Sequence, residues 1–181
     1  MRSDTAKPRA EPAEERAADG AATWRLRPAT AADAAAVAAL LREAFAAYDG
    51  RLQPRPGALS ETEASIAAAL EAGAGAVAEA EGAIVGCVLW RPQEDGLYLG
   101  RLGVRPGWRS RGIARALVET VIAAGRQAGV KRVTLNVRIA LPDNIALFER
   151  VGFLRGEARA HPGFDHPTYY VMERRLDRAP G

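Results

Sequence analysis

Between residues 37 and 48 the apolar positions Val37, Leu40, Leu41, Ala44, Phe45 and Tyr48 recur every three or four residues, the stripe of an amphipathic helix. Thr30 and Asp33 stand at capping-box spacing before it, and Asp49-Gly50 closes it. Ser60-Glu61-Thr62-Glu63 signals the start of a second helix, with Ile66, Ala69 and Leu70 on one face and a stop at Gly73. Pro54 and Pro56 make the intervening 51–57 a loop. The period then changes. Residues 76–80 and 84–90 read as strands joined at Glu81-Gly82, and 97–104 reads as another. From about Gly112, two adjacent apolar rows (Ile113, Leu117, Val121 and Ala114, Val118, Ile122) predict a helix that stops at Gly129. Residues 132–138 alternate, with Val133, Leu135 and Val137 facing one way and Thr134, Asn136 and Arg138 the other. A short helix over 143–151 and strands near 153–160 and 169–176 complete the chain, and 24–27 forms an opening strand.

This order predicts an α/β fold in the α+β sense: a mixed sheet of about six to seven strands flanked by about four helices. The first half is antiparallel, and a crossover helix brings one strand parallel to another. Residues 1–23 are rich in Ala, Pro and charge without apolar period and read as a disordered tail. Residues 24–177 form the domain, and 178–181 a short C-terminal tail.

The 181 residues suit one domain, and 48% apolar with 26% charged residues is an ordinary globular balance. A net charge of +3 allows an anionic partner without demanding one. Lys7 and Lys131 are the only lysines, so the positive charge is almost all Arg, the better holder of forked anions; an Ala- and Arg-biased composition accounts for it equally well. The arginines scatter without interleaved aromatics, which argues against nucleic acid. Cys87 stands alone, so an internal disulfide or a cysteine-based zinc site is excluded, and its strand setting predicts a packed thiol. No apolar run approaches a membrane span and no signal-peptide core is visible, so the cytoplasm is expected.

The most informative segment is Val104-Arg105-Pro106-Gly107-Trp108-Arg109-Ser110-Arg111-Gly112-Ile113-Ala114, which leaves a strand, turns, and enters a helix. The first N–H groups of that helix lack internal partners at its positive dipole end, which predicts an anion site. Gly112 leaves the backbone open to a phosphate, and Arg105, Arg109 and Arg111 add charge at the rim. No Gly-Lys-Ser/Thr follows, so this is no nucleotide P-loop, and Arg109 occupies the first Gly position of a dinucleotide fingerprint.

Arg109-Ser110-Arg111-Gly112-Ile113-Ala114, preceded by Val104-x-Pro106, resembles the Arg/Gln-x-x-Gly-x-Gly/Ala signature of the GNAT superfamily of N-acetyltransferases. The segment 144–153, ending Phe148-Glu149-Arg150-Val151-Gly152-Phe153, resembles the family's second motif. The resemblance implies acetyl-CoA as cosubstrate and direct attack by a primary amine, with no metal. Amides of Arg109 to Ala114 would grip the pyrophosphate, and a bulge at Leu102, Gly103 and Val104 would pair with the pantetheine arm. Asn144 and Phe148 would lie near the coenzyme. The sequence departs from the family where Phe148 replaces the usual Tyr and Leu141 the usual Asn.

The reaction needs an oxyanion donor, for which a bulge N–H near 102–104 is the candidate, eased by Gly103. It needs a neutral amine; Glu94 before the strand and His166 in the loop 161–166 are candidate bases, and 97–104 holds no carboxylate. Tyr169, Tyr98 and Tyr170 are candidates to protonate the leaving sulfur in place of the missing hydroxyl. In the family, 45–57 and 161–169 build the acceptor pocket; Tyr48, Arg51, Arg55, Phe164 and His166 there suit a small amine with a carboxylate. A non-catalytic coenzyme A-binding module and an enzyme acting on protein or peptide amines are the alternatives. A homodimer is compatible with all three readings; a membrane partner is not expected.

Overall fold

A computed structural model describes residues 23–176 and, before them, the two-residue strand β1 (Glu15–Arg16). Most of the tail expected over 1–23, and that over 178–181, lies outside the described residues. The remaining strands are β2 (Trp24–Pro28), β3 (Ala74–Ala80), β4 (Ala83–Gln93), β5 (Gly96–Val104), β6 (Arg132–Arg138), β7 (Leu154–Arg159) and β8 (Tyr169–Arg175). Four α-helices, α1 (Ala34–Phe45), α2 (Glu63–Ala72), α3 (Ile113–Gln127) and α4 (Pro142–Arg150), complete the domain with short 3-10 turns between them. The strands form one sheet in the order β1-β2-β3-β4-β5-β6-β8-β7. Among the described strands only β5 and β6 run parallel, as the crossover through α3 requires.

The sheet separates two apolar layers. Val77, Ile84, Cys87 and Leu89 pack with Val37, Leu40, Leu41 and Ile66 under α1 and α2. Val88, Trp90, Leu97, Leu99, Val133 and Leu135 pack on the other side with Leu117, Val121, Phe148 and Phe153 from α3, α4 and the turn after it. Alternation along β6 therefore sends Val133, Leu135 and Val137 into the α3 layer and leaves Thr134, Asn136 and Arg138 on the α1/α2 face. Cys87 is buried, and burial pushes its thiol up to about 12, so it is a packing residue.

One local expectation needs correction. The cap of α2 is Thr62, whose hydroxyl accepts from Ser65 N–H and whose own N–H donates to Ser65 Oγ in return, two residues after the expected start. Ser60 closes a 3-10 turn over Gly57–Ser60 instead, and this places Glu61 between the two elements with its side chain inward. At the other end, β8 inserts between β6 and β7, an order that no local pattern announces.

Candidate functional site

Strands β5 and β6 share only three paired positions, Gly96, Leu97 and Tyr98 against Arg132, Val133 and Thr134. Beyond Tyr98 they part. Thr134 Oγ1 lies at this fork, buried and without a hydrogen-bond partner. The opening holds a cavity of about 200 Å³ lined by Gly100, Arg101 and Leu102 of β5, Asn136 and Arg138 of β6, and Asn144 and Phe148 of α4. On its other edge β5 slips against β4: Gly103 faces Cys87, but Leu89 faces Gly100, so Arg101 and Leu102 together oppose Val88. This is a β-bulge, and Arg101 takes a left-handed φ of 50° within it. It therefore sits earlier than the expected 102–104. Gly103 and Val104 are regularly paired, and Gly103 serves packing: a Cβ there would lie 3.0 Å from Leu41 Cδ2 and 3.2 Å from Leu40 Cδ2.

Beyond Val104 the chain makes a 3-10 turn over Pro106–Trp108 and enters α3 through two left-handed residues, Ser110 (φ 62°) and Gly112 (φ 79°). The space where a Cβ of Gly112 would stand is empty to 4 Å, so the backbone at the helix N-terminus is open to a ligand. Ala116 N–H makes the bond to Gly112 C=O, and the preceding N–H groups of the first turn point outward at the dipole's positive end. Ile113 anchors the turn from below, seated over Gly86, where a Cβ would come within 2.7 Å of Ile113 Cγ2. The expected rim of three arginines is reduced. Arg105 pairs with Glu43 and donates to Ile84 C=O, and Arg109 donates to Ala44 C=O (2.7 Å) and Val104 C=O, lashing the loop to α1 and β5. Arg111 lies over the Trp108 ring at 4.7 Å. Fork, bulge and helix N-terminus follow one another along β5 into α3.

A second cavity, of about 380 Å³, opens between α2 and the β4/β5 pair and shares Tyr98, Gly100 and Arg101 with the fork. Glu61 and Ser65 close one end, Ala69, Ala72 and Leu89 give it apolar walls, and Arg91 lies at the rim with its guanidinium 4.8 Å from the Tyr98 ring centroid. The Glu61 carboxylate, buried at 7% exposure, meets the Arg101 guanidinium and accepts from Ser65 Oγ. Burial raises the Tyr98 phenol, while Arg101 and Arg91 pull it down.

The family model for "Acetyltransferase (GNAT) family" matches residues 35–153, well over half of the chain. The chain belongs to the GNAT family. Its sequence is 36% identical over 64 residues to "N-alpha-acetyltransferase MAK3" of Arabidopsis thaliana, covering 35% of this chain and 34% of that protein. It is 34% identical over 93 residues to "Probable N-acetyltransferase camello" of Xenopus tropicalis, covering 50% and 42% respectively. The matches thus span only about a third to two-fifths of these relatives. Among solved structures, the ribosomal-protein-S18-alanine N-acetyltransferase of Escherichia coli superposes with a TM-score of 0.66 at 22% identity, covering 87% of this chain and 96% of that one. The yncA structure of Salmonella typhimurium with acetyl-CoA superposes with a TM-score of 0.66 at 17% identity, over 86% and 95%.

On this GNAT domain the other candidate residues divide sharply. Asn144 and Phe148 both line the fork; the α4 cap position is Leu141, and Asn144 stands inside the first turn. Phe148 is buried edge-on against Phe153, with ring centroids 5.8 Å apart. Glu94 is misplaced for a base: it occupies the β4–β5 turn at the closed end of β5, pairs with Arg132 at 3.3 Å, and is remote from the fork. His166 is exposed and paired with exposed Asp165 at 2.9 Å. Tyr169 starts β8 opposite Arg138 and packs its ring against His161, 4.7 Å away. Neither lines either cavity. Of the expected acceptor residues, Arg55 is tied to Asp49 and Ser60. The sequence reading missed Glu61, Arg91, Arg101 and Arg138. Arg138 reaches from β6 to donate to Gln53 C=O and Pro54 C=O, which pins the α1–α2 loop across the mouth of the fork. The sequence signal for Arg101 and Arg138 is a polar residue on a predicted strand, whereas Glu61 lay in the helix-start signal and Arg91 just past a predicted strand.

Proposed function

We propose that the chain is an acetyl-CoA-dependent N-acetyltransferase acting on a primary amine of a small molecule within a ternary complex. The observation that carries this reading is the continuity of an open strand fork, a bulge and an uncovered helix N-terminus along β5 into α3. A neutral pantetheine arm suits the fork, and a diphosphate suits the amides from Ser110 to Ala114. The acetyl-CoA bound in the Salmonella structure, and the coenzyme A bound in "paia n-acetyltransferase from thermoplasma acidophilum", support the same cosubstrate. Among the described residues no helix is long and apolar enough to cross a membrane. With a lone buried thiol, the cytoplasm is the proposed setting.

Acetyl-CoA supplies an activated acetyl group as a thioester. A bond forms between the amine nitrogen and the acetyl carbon, the carbon–sulfur bond breaks, the sulfur leaves with the bonding pair, and the amine gives up a proton. A backbone N–H at Arg101–Leu102, released from the ladder by the bulge, is the donor for the oxygen that gains charge. Phe148 carries no hydroxyl, and a thiol of ordinary pKa near 8.5 departs as thiolate. No carboxylate or imidazole lines the fork cavity, and this favours one second reading, a coenzyme-binding module without catalysis. Free thiol released from acetyl-CoA in the presence of a panel of amines separates the two: the enzyme releases it only with an acceptor, the module with none.

A further inference from the structure

Charge around the two cavities is unbalanced. Three guanidiniums, Arg91, Arg101 and Arg138, line them against one carboxylate, Glu61, which Arg101 already engages. Arg138 is spent on the Gln53 and Pro54 carbonyls, which compensate no charge. Arg91 is exposed, with its guanidinium carbon over the Tyr98 ring at 4.8 Å from the centroid, a contact with the ring face that spends none of its N–H donors. The coenzyme does not answer this excess, because its phosphates belong at the N-terminus of α3 and its pantetheine arm is uncharged. An unadorned ammonium, such as a polyamine or a lysine side chain, would be repelled from such a site. A molecule with both an amine and a carboxylate enters without net charge, and the same cations favour its uncharged amine over the ammonium.

We propose that the acceptor is a small amino acid-like molecule whose carboxylate is read by Arg91 while its amine faces Gly100 and the bulge at Arg101–Leu102. This rests on the acetyltransferase reading of the site. The register supports the span. Arg91 faces Tyr98 and Leu89 faces Gly100, so the cation stands two residues, about 7 Å, along the strand from Gly100, the residue that precedes the bulge. The cavity of about 380 Å³ is of small-molecule size, and Ala69, Ala72 and Leu89 give an apolar body a place to lie.

The test compares each amino acid with its own carboxamide: L-leucine with L-leucinamide, and β-alanine with β-alaninamide. Spermidine and a tetrapeptide amide with a free N-terminus complete the set. Thiol release by the full chain is expected to show kcat/KM at least about tenfold higher for the carboxylate member of a pair. That preference is expected to vanish in Arg91→Met and to survive in part in Arg91→Lys. Equal or better use of the carboxamides, spermidine or the peptide overturns the proposal, as does a preference that persists in Arg91→Met. Calorimetry keeps the two levels apart. If acetyl-CoA binds but neither amino acid is turned over or binds the coenzyme A-saturated protein, the acceptor proposal alone fails. If acetyl-CoA itself does not bind at millimolar concentration, the acetyltransferase reading fails and takes the acceptor proposal with it.

Discussion

Glu61 and Arg101, forty residues apart, form an ion pair between the start of α2 and the bulge of β5. Arg101 holds a left-handed backbone, which costs a non-glycine residue about 1 kcal/mol, and its carbonyl accepts from Cys87 Sγ at 3.5 Å. The pair therefore opposes the tendency of the bulge to relax, and the bulge carries the N–H proposed as the oxyanion donor. Glu61→Gln is expected to lower kcat about tenfold while changing the acetyl-CoA KM by less than about threefold. Steady-state kinetics with both substrates varied checks it; a change confined to KM would show that the pair does not serve the chemical step.

At Gly112 the obstacle to any side chain is backbone and ligand, since no protein atom lies within 4 Å of the missing Cβ. Gly112→Val is expected to raise the acetyl-CoA dissociation constant at least tenfold, about 1.4 kcal/mol. Gly82 is the control, with φ 77° and equally open space in the β3–β4 turn. Gly82→Ala should lose about 1 kcal/mol of stability and leave coenzyme binding unchanged. Calorimetry and urea unfolding of both variants separate strain from obstruction.

Phe148→Tyr would return a hydroxyl to the fork wall. The ring is buried edge-on against Phe153 but also lines the cavity, so the new oxygen has a direction in which to point. Activity is expected to be unchanged or to rise by up to about tenfold, far short of the range for an indispensable acid. A collapse in kcat together with a lower Tm would show that this face of the ring is packed.

Arg27 grips Asp33 with two hydrogen bonds of 2.8 Å and Glu79 with one of 2.7 Å, tying β2, β3 and the turn before α1 together. The Arg27 guanidinium lowers the Asp33 carboxyl from its ordinary value to about 2, against the opposing effect of burial. A carboxyl whose pKa falls on folding contributes above its unfolded pKa and loses that contribution as pH falls through the folded one. Wild type should therefore exceed Asp33→Asn in stability by about 1–2 kcal/mol near pH 7, with the difference shrinking between about pH 5 and pH 2. Urea midpoints across that range check it, and a difference independent of pH would contradict the linkage.

The sequence by itself determined what neighbouring residues decide together. The stripe over Val37 to Tyr48, the alternation of 132–138 and the Gly112 turn each report a local conformation through residues a few positions apart, and their elements appear where the pattern put them, except that α1 gives way to a 3-10 turn over Ala46–Tyr48. The same locality made the phosphate-loop motif legible, because strand end, turn glycine and helix start are contiguous in the chain. The sequence misled where two local solutions compete: Ser60 and Thr62 both suit a cap, and the 3-10 turn through Ser60 awarded it to Thr62.

Only the tertiary structure decided what lies across the sheet. The bulge falls at Arg101–Leu102 because the register of β4 against β5 slips there, and register is a property of two strands. Glu61 became a buried partner of Arg101, Arg91 settled on Tyr98, and Arg138 became the clamp on the α1–α2 loop, all through contacts between residues distant in the chain. Glu94 stands away from the fork by geometry alone, since β5 runs from the turn that holds it toward the fork. A short-range pattern reports backbone conformation; which side chains meet at a cavity depends on how the sheet brings separate strands together.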